Sequence, residues 1–285
     1  MNNSDPTSKT VFRLYPPPYA EVPLQGLYLA QRLHARGARD NKPLVYANFL
    51  SSLDGRIALE DAVTRQPYMP ASLTTPDDFR LFQELEAQAD CLITHGGYLR
   101  ALAEKRLGNI LQIGLRPDSH DLAEWRRVEG LPAQPDVVIA SASLDFPLPD
   151  SIREHGQRCY VATGQAADPA RVAYWRDKGV EVLFCGAGAM AEGEPLVRQL
   201  GQKGYRCIYL IAGPRVLDTM VRDGQLKRLY QTITHQLMGG EAFRTLVPGP
   251  VLGPVGHLIL RGLYYDPAAP HGAGQWFAQF ENAPA

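Results

Sequence analysis

The sequence predicts an α/β domain, a three-layer architecture on a mostly parallel central sheet with an antiparallel C-terminal edge, and three observations carry that expectation. From Leu44 to Ile211, short apolar runs alternate with segments of helical spacing. Strands alternating with helices are joined by crossovers, so they lie parallel and are covered on both faces. After Arg222 the alternation stops: Leu229 to Thr234, Leu258 to Tyr264 and Gln275 to Phe280 follow one another with Gly and Pro between them, the pattern of antiparallel pairing. Finally, 285 residues with 45% apolar content and a net charge of -1 suffice to bury a core without disulfide or metal staples.

Residues 1 to 43 read as an irregular N-terminal arm, extended at Tyr15-Pro-Pro-Pro18, with one amphipathic stretch, Leu24 to Leu33, of helical character. The domain proper is expected over 44–285. Leu44 to Leu50 (LVYANFL) is a strand closed by the polar turn Ser51-Ser52-Leu53-Asp54-Gly55. Pro76 to Ala87 opens with Pro and two Asp and places Phe79, Phe82 and Leu85 at helical spacing, so a helix starts at Pro76. Strands follow at Asp90 to Thr94, Val137 to Ala140, Cys159 to Ala162, Val180 to Cys185 and Cys207 to Ile211. Helices are expected at Pro169 to Lys178, Pro195 to Lys203 and Val216 to Arg222, the last stopped by Gly224. Val247 to Gly256, rich in Pro and Gly, reads as a loop.

Composition excludes several functions. Lys and Arg are scattered and the net charge is near zero, which leaves no electrostatic footprint for nucleic acid or an anionic membrane. No apolar run approaches the ~20 residues of a bilayer span, and the polar start MNNSDPTSK is unlike a signal peptide, so a cytoplasmic location is expected. Cys91, Cys159, Cys185 and Cys207 form no CxxC pair and read as reduced core thiols. The seven histidines show no HxxxH or HxH spacing, so no metal site is expected. No GxSxG elbow or Walker sequence is present. The partner is then a small molecule or a second copy.

Two glycine turns are candidate phosphate cradles. Gly186-Ala-Gly-Ala-Met-Ala191 fits the GxGxxA fingerprint after a strand, but Pro195 is the better first helical residue, so the glycines do not open the helix. Ala212-Gly213-Pro214 stands between a strand and a helix beginning near Arg215, where free N–H groups face an anion; a plain strand-to-helix turn fits equally well. Asp54 lies at the carboxyl end of a strand, where ligands bind in open α/β sheets, although Asp-Gly is also an ordinary turn.

VYANFLSSLDGRIA, VVIASASLDFPLP and the continuous stretch from Gly179 to Leu226 together resemble the pyrimidine reductase of riboflavin biosynthesis, from Pro43 to about Glu281. The resemblance implies a dihydrofolate-reductase-like fold, NADPH as cofactor and a homodimer; bifunctional relatives also carry a zinc deaminase with an H-x-E and P-C-x-x-C signature, which nothing in this sequence matches, so no deaminase half is expected. It implies that Asn48 faces the substrate and that Ser51, Ser52 and Asp54 form a turn beside the nicotinamide. Ser141 would touch the cofactor, and Gly213, Pro214, Arg215, Val216 and Leu217 would hold its phosphates. Asp54, the matched acid nearest the reacting end, is expected to orient the substrate or relay a proton. Three positions depart from the family: Ile211 replaces a Glu, Glu86 an Arg and Tyr98 a Thr. Glu86 and Ile211 fall among the substrate-binding positions, so the ribosylamino-pyrimidine phosphate is expected to be a poor substrate. An NADPH-dependent reductase of the riboflavin type, either the 5-amino-6-(5-phosphoribosylamino)uracil reductase or a diverged relative with an altered substrate, therefore stands beside a non-catalytic, dimeric nucleotide-binding protein of the same fold.

Overall fold

A computed structural model describes residues 9–39, 42–268 and 272–283. The expectations for Met1–Ser8 and for His271 lie outside the described residues. In chain order the strands are β1 (Thr10–Tyr15), β2 (Ala20–Pro23), β3 (Leu44–Ser52), β4 (Ala58–Glu60), β5 (Pro67–Tyr68), β6 (Cys91–His95), β7 (Asp136–Ala140), β8 (Cys159–Thr163), β9 (Glu181–Phe184), β10 (Cys207–Leu210), β11 (Leu226–Thr234), β12 (Phe243–Arg244), β13 (Leu258–Asp266) and β14 (Gln275–Asn282). The helices are α1 (Leu33–Gly37), α2 (Pro76–Glu86), α3 (Gly96–Ala103), α4 (His120–Val128), α5 (Asp150–Glu154), α6 (Pro169–Asp177), α7 (Gly193–Gln202) and α8 (Pro214–Arg222). Two compact units result, one of residues 1–31, 46–85 and 227–285, the other of residues 32–45 and 86–226.

The second unit carries the parallel part of the expectation. Its strands run in the order β10-β6-β7-β8-β9, parallel throughout, and the start of β3 joins beside β10 through Leu44 N–H to Arg206 O at 2.8 Å. Because both faces are covered, these strands read as near-continuous apolar runs: Val137, Val138 and Ile139 are fully buried. On one face the core gathers Val137, Ile139, Val161 and Leu144 around Trp175, whose ring stacks on Phe146 at 4.6 Å and whose indole N–H bonds Leu144 O at 3.0 Å. Cys91, Cys185 and Cys207 are buried free thiols, as the apolar runs around them imply. Helices α1, α3, α4 and α5 have no counterpart in the sequence expectations.

The first unit is antiparallel, in the order β2-β1-β13-β14-β11-β3, with a small second sheet β12-β4-β5. Part of the segment expected to be an irregular arm is thus a hairpin, β1 and β2, and Leu24 to Leu33 is a series of turns and a short 3-10 segment rather than one helix. Val11 of β1 is fully buried, which anchors the hairpin. Strand β1 registers on Leu263, Tyr264 and Tyr265 of β13. It leaves Leu258 to Leu260 unpaired on that side among the described residues, with Leu258 and Ile259 each 37% exposed.

Helix α2 has the bounds its start signal predicts, but its inward face is turned by one residue. Phe79 and Phe82 are only partly buried and stack on each other at 5.9 Å. Asp78, Leu81 and Leu85, at i, i+3 and i+7, form the buried stripe.

Candidate active site

In the first unit, β3 runs into the turn Leu53–Gly55, closed by Ser52 N–H to Arg56 O at 2.9 Å and Gly55 N–H to Ser52 O at 3.0 Å. Gly55 takes φ +80°, a left-handed turn that glycine reaches without strain. Asp54 accepts hydrogen bonds from the Ser52 hydroxyl, the Arg56 guanidinium and the N–H groups of Met238 (3.3 Å) and Gly239 (3.0 Å). Burial acts to raise its pKa, and the Ser52 hydroxyl, the two backbone N–H groups and the Arg56 charge together bring it down to about 2. Arg56 in turn lies 4.2 Å over the Phe243 ring.

A carboxyl held near 2 is ionised at neutral pH, so Asp54 carries no proton of its own to donate. Its hydrogen bonds fix the turn. The serines beside it are held from within the turn. Ser51 is 1% exposed and its hydroxyl is engaged by Gln231 at 3.0 Å; Ser52 is equally buried and spends its hydroxyl on Asp54 and Arg56. Both side chains face inward and help to shape the turn. Asn48 differs: it is half-buried on β3 and, among the described residues, no hydrogen bond ties up its amide.

In the second unit the carboxyl ends of β6, β7 and β10 bring together His95, Ser141 and Gly213. Helix α8 begins after Gly213 with Pro214 in its first turn and no side-chain cap, and α3 begins after His95, also uncapped. The two starts approach through His95: a Cβ on Gly213 would lie 3.3 Å from its Nε2, and one on Gly97 would lie 2.9 Å from its Nδ1. Helix α7, by contrast, has its start filled by Asp223, which accepts from Gly193 N–H at 2.6 Å. Of the α8 start, Gly213 O already accepts from Val216 and Leu217, which leaves the N–H groups of Gly213 and Arg215 without a partner among the described residues. Leu217 is 1% exposed, so its side chain is a core residue and not a cofactor contact. Ser141 is half-buried; its oxygen accepts from Leu144 N–H at 3.0 Å and its proton remains to be given.

The GxGxxA segment does not open a helix. Its carbonyls take N–H groups from the loop after β8: Gln165 to Gly186 at 2.8 Å, Ala166 to Gly188 at 3.0 Å and Gly164 to Ala189 at 3.1 Å. A Cβ on Gly164 would meet Gly188 O at 2.0 Å, so the glycines there serve two loops packed face to face.

The reading of Glu86 as a substrate-facing charge is corrected. Glu86 is 2% exposed inside the second unit, with Oε1 buried and unpartnered; burial raises its pKa to about 8, against the pull of Arg126. It is largely neutral near pH 7 and meets no solvent, so it repels no phosphate. Arg80, a cation on α2, bonds Glu84 at 3.2 Å. Tyr98 is buried and its hydroxyl ties down the following loop through Gly108 O and Ile110 N–H, each at 3.0 Å. Ile211 packs partly exposed on the core at the end of β10, its N–H on Ile93 O at 3.0 Å. His95 was missed as a site residue, although His-Gly-Gly between a strand and a helix is a visible signal.

A family model described as the RibD C-terminal domain matches residues 43–253. The chain belongs to that family. Among solved structures, a pyrimidine reductase-like protein from Corynebacterium diphtheriae is 18% identical, with a TM-score of 0.63 over 86% of this chain and 94% of its own. The riboflavin biosynthesis reductase Rib7 of Saccharomyces cerevisiae is 15% identical, with a TM-score of 0.56 over 90% and 99%. A diaminohydroxyphosphoribosylaminopyrimidine deaminase/5-amino-6-(5-phosphoribosylamino)uracil reductase from Thermotoga maritima is 13% identical, with a TM-score of 0.55 over 88% of this chain and 60% of its own. Identities this low carry the fold, which is the one the RibD resemblance implies. No curated protein matches the chain. Among the described residues no helix is long and apolar enough to cross a membrane.

Proposed function

We propose that this RibD-family chain is an NADPH-dependent oxidoreductase that reduces the ribosylamino-pyrimidine phosphate of riboflavin biosynthesis, acting in the cytoplasm as a homodimer. The observation that carries the reading is the family match over residues 43–253. The second unit fits a dinucleotide: two uncapped helix starts flank His95 and Gly213 at the carboxyl ends of parallel strands, where backbone N–H groups receive phosphate oxygens. Gly213 and Arg215 would supply N–H donors there, and Ser141 a hydroxyl. When bound, NADPH supplies the hydride; the protein supplies orientation and electrostatics. In the first unit the ionised Asp54 locks the turn after β3, and Asn48 offers a free amide to the substrate.

The test is the fall in reduced-nicotinamide absorbance when the protein meets NADPH and 5-amino-6-(5-phosphoribosylamino)uracil. Steady oxidation dependent on the pyrimidine is expected; tight NADPH binding without oxidation would favour the non-catalytic reading. The proposed homodimer would pair at Leu258 to Leu260 of β13, an apolar stretch that β1 leaves open and that pairing would cover. A dimeric mass by light scattering at micromolar concentration is expected, and a monomeric mass would refute it.

A further inference from the structure

The first unit buries three carboxyls under and around α2, and one of them is treated differently from the others. Glu84 accepts the N–H groups of Gly26 (2.5 Å) and Tyr28 (2.9 Å) and the guanidinium of Arg80 (3.2 Å). Asp266 accepts from Lys9 (2.9 Å), Ala268 N–H (3.0 Å) and Gln275 (3.1 Å). Asp78 lies beside Thr232, whose hydroxyl acts to lower its pKa, while its Oδ1 is buried and has no partner. It also occupies the inward stripe of α2 in line with Leu81 and Leu85, where folding alone would place an aliphatic side chain. A buried, half-satisfied carboxyl costs stability, and such groups are retained where they meet a ligand.

Its surroundings agree. On β11, Thr232 and Tyr230 are two residues apart and share a face; on β3, Asn48 and Tyr46 do likewise. Tyr46 faces Tyr230 at 6.4 Å and its hydroxyl reaches Leu85 O of α2 at 2.8 Å. Asn48, with its free amide, and Asp78, with its free oxygen, therefore lie on the one side of these strands that α2 covers. We propose that Asp78, backed by Thr232, is a substrate-binding residue whose free oxygen accepts an N–H from the ring of the substrate, with Asn48 on the same face. The ligand class is a planar, uncharged heterocycle with ring N–H donors; the neighbouring Asp77 and the burial both disfavour an anionic group at this point. Burial is the largest influence on the carboxyl and raises its pKa to about 6, which leaves it an acceptor at neutral pH. The substrate class rests on the proposed function.

Calorimetric titration with 5,6-diaminouracil, the bare ring of that substrate, needs neither NADPH nor turnover and so tests the subsite alone. Binding to the wild-type protein and a loss of about 10- to 100-fold in Asp78→Asn, the range of a charge-assisted hydrogen bond, are expected. Equal affinity in the variant, or no binding to the wild type, would overturn the subsite. The melting temperature of ligand-free Asp78→Asn at pH 8 is expected to equal or exceed that of the wild type, because the neutral amide removes an unpaired buried charge. A marked fall would show that Asp78 is structural and would likewise overturn the proposal. NADPH oxidation by the wild type decides the proposed function separately.

Discussion

Gly213→Val is expected to leave a folded protein whose affinity for NADPH falls by about 100-fold, the loss of roughly two charge-assisted contacts. The reason is not backbone conformation. Gly213 sits at φ -69° and ψ 177°, extended geometry that any residue adopts. What the glycine provides is close approach. A Cβ here would lie 3.3 Å from His95 Nε2, and the branched side chain of valine adds bulk at the helix start, where backbone and a phosphate oxygen must approach. The imidazole is the far end of a side chain and yields by a few tenths of an ångström, so the fold survives; Gly213→Ala, which adds the Cβ alone, should lose far less affinity. Circular dichroism verifies the fold, and quenching of protein fluorescence by NADPH reads the affinity. Wild-type affinity in folded Gly213→Val would remove this turn from the cofactor site.

The parallel strands were legible because burial on both faces leaves nothing but apolar residues in them, and a run such as Val137-Val138-Ile139 reads the same in sequence and in structure. Helix α2 announced its bounds through Pro76 and its two acids, yet not its orientation. Phe79-Phe82-Leu85 and Asp78-Leu81-Leu85 both fit a 3.6-residue period, and hydrophobicity favours the first. The structure takes the second and buries Asp78, a local conflict of the kind that marks functional positions. The β1–β2 hairpin was invisible because its partner β13 lies some 250 residues away in sequence, and edge strands need no strong apolar pattern.

Within the candidate site, spacing identified the correct turns but not which atoms they leave free. Ser51 and Ser52 stand at the carboxyl end of β3 as expected; the Ser51 oxygen accepts from Gln231, and the Ser52 hydroxyl donates to Asp54 and accepts from Arg56 N–H. Leu217 and Glu86 were placed in the site by position alone, and both point into the core. Burial is a property of the packed structure, set by residues distant in sequence. The helix starts were legible from Gly213-Pro214; that the α7 start is filled by Asp223 while the α8 start has no side-chain cap was not.

The other large effect is at Glu86, and its sign is opposite to the one that charge reversal at a substrate phosphate would produce. Glu86→Arg places a permanent cation at a 2% exposed position beside the fully buried Arg126, so it is expected to destabilise the fold by ~3–5 kcal/mol, the scale of an uncompensated buried charge, rather than to improve turnover. The wild-type carboxyl makes stability depend on pH. Burial raises its pKa from an unfolded value of 4.5 to about 8, so the folded state holds this proton more tightly than the unfolded state. The stabilisation from that proton is fully present below 4.5 and is lost as the pH rises through 8, because the unfolded chain binds fewer protons across that window. Asp78 and Asp90, both raised to about 6 chiefly by burial, act in the same direction over a lower range. Urea unfolding of the wild type should therefore show stability falling from pH 5 to pH 8.5. Glu86→Gln, which keeps the shape and removes the titration, should flatten the upper part of that fall and be more stable than the wild type at pH 8.5. A wild-type protein whose stability is level between pH 6.5 and 8.5, or a Glu86→Gln variant with the same slope, would show that Glu86 does not titrate in that window. Higher kcat/KM in a folded Glu86→Arg protein would return Glu86 to the substrate site.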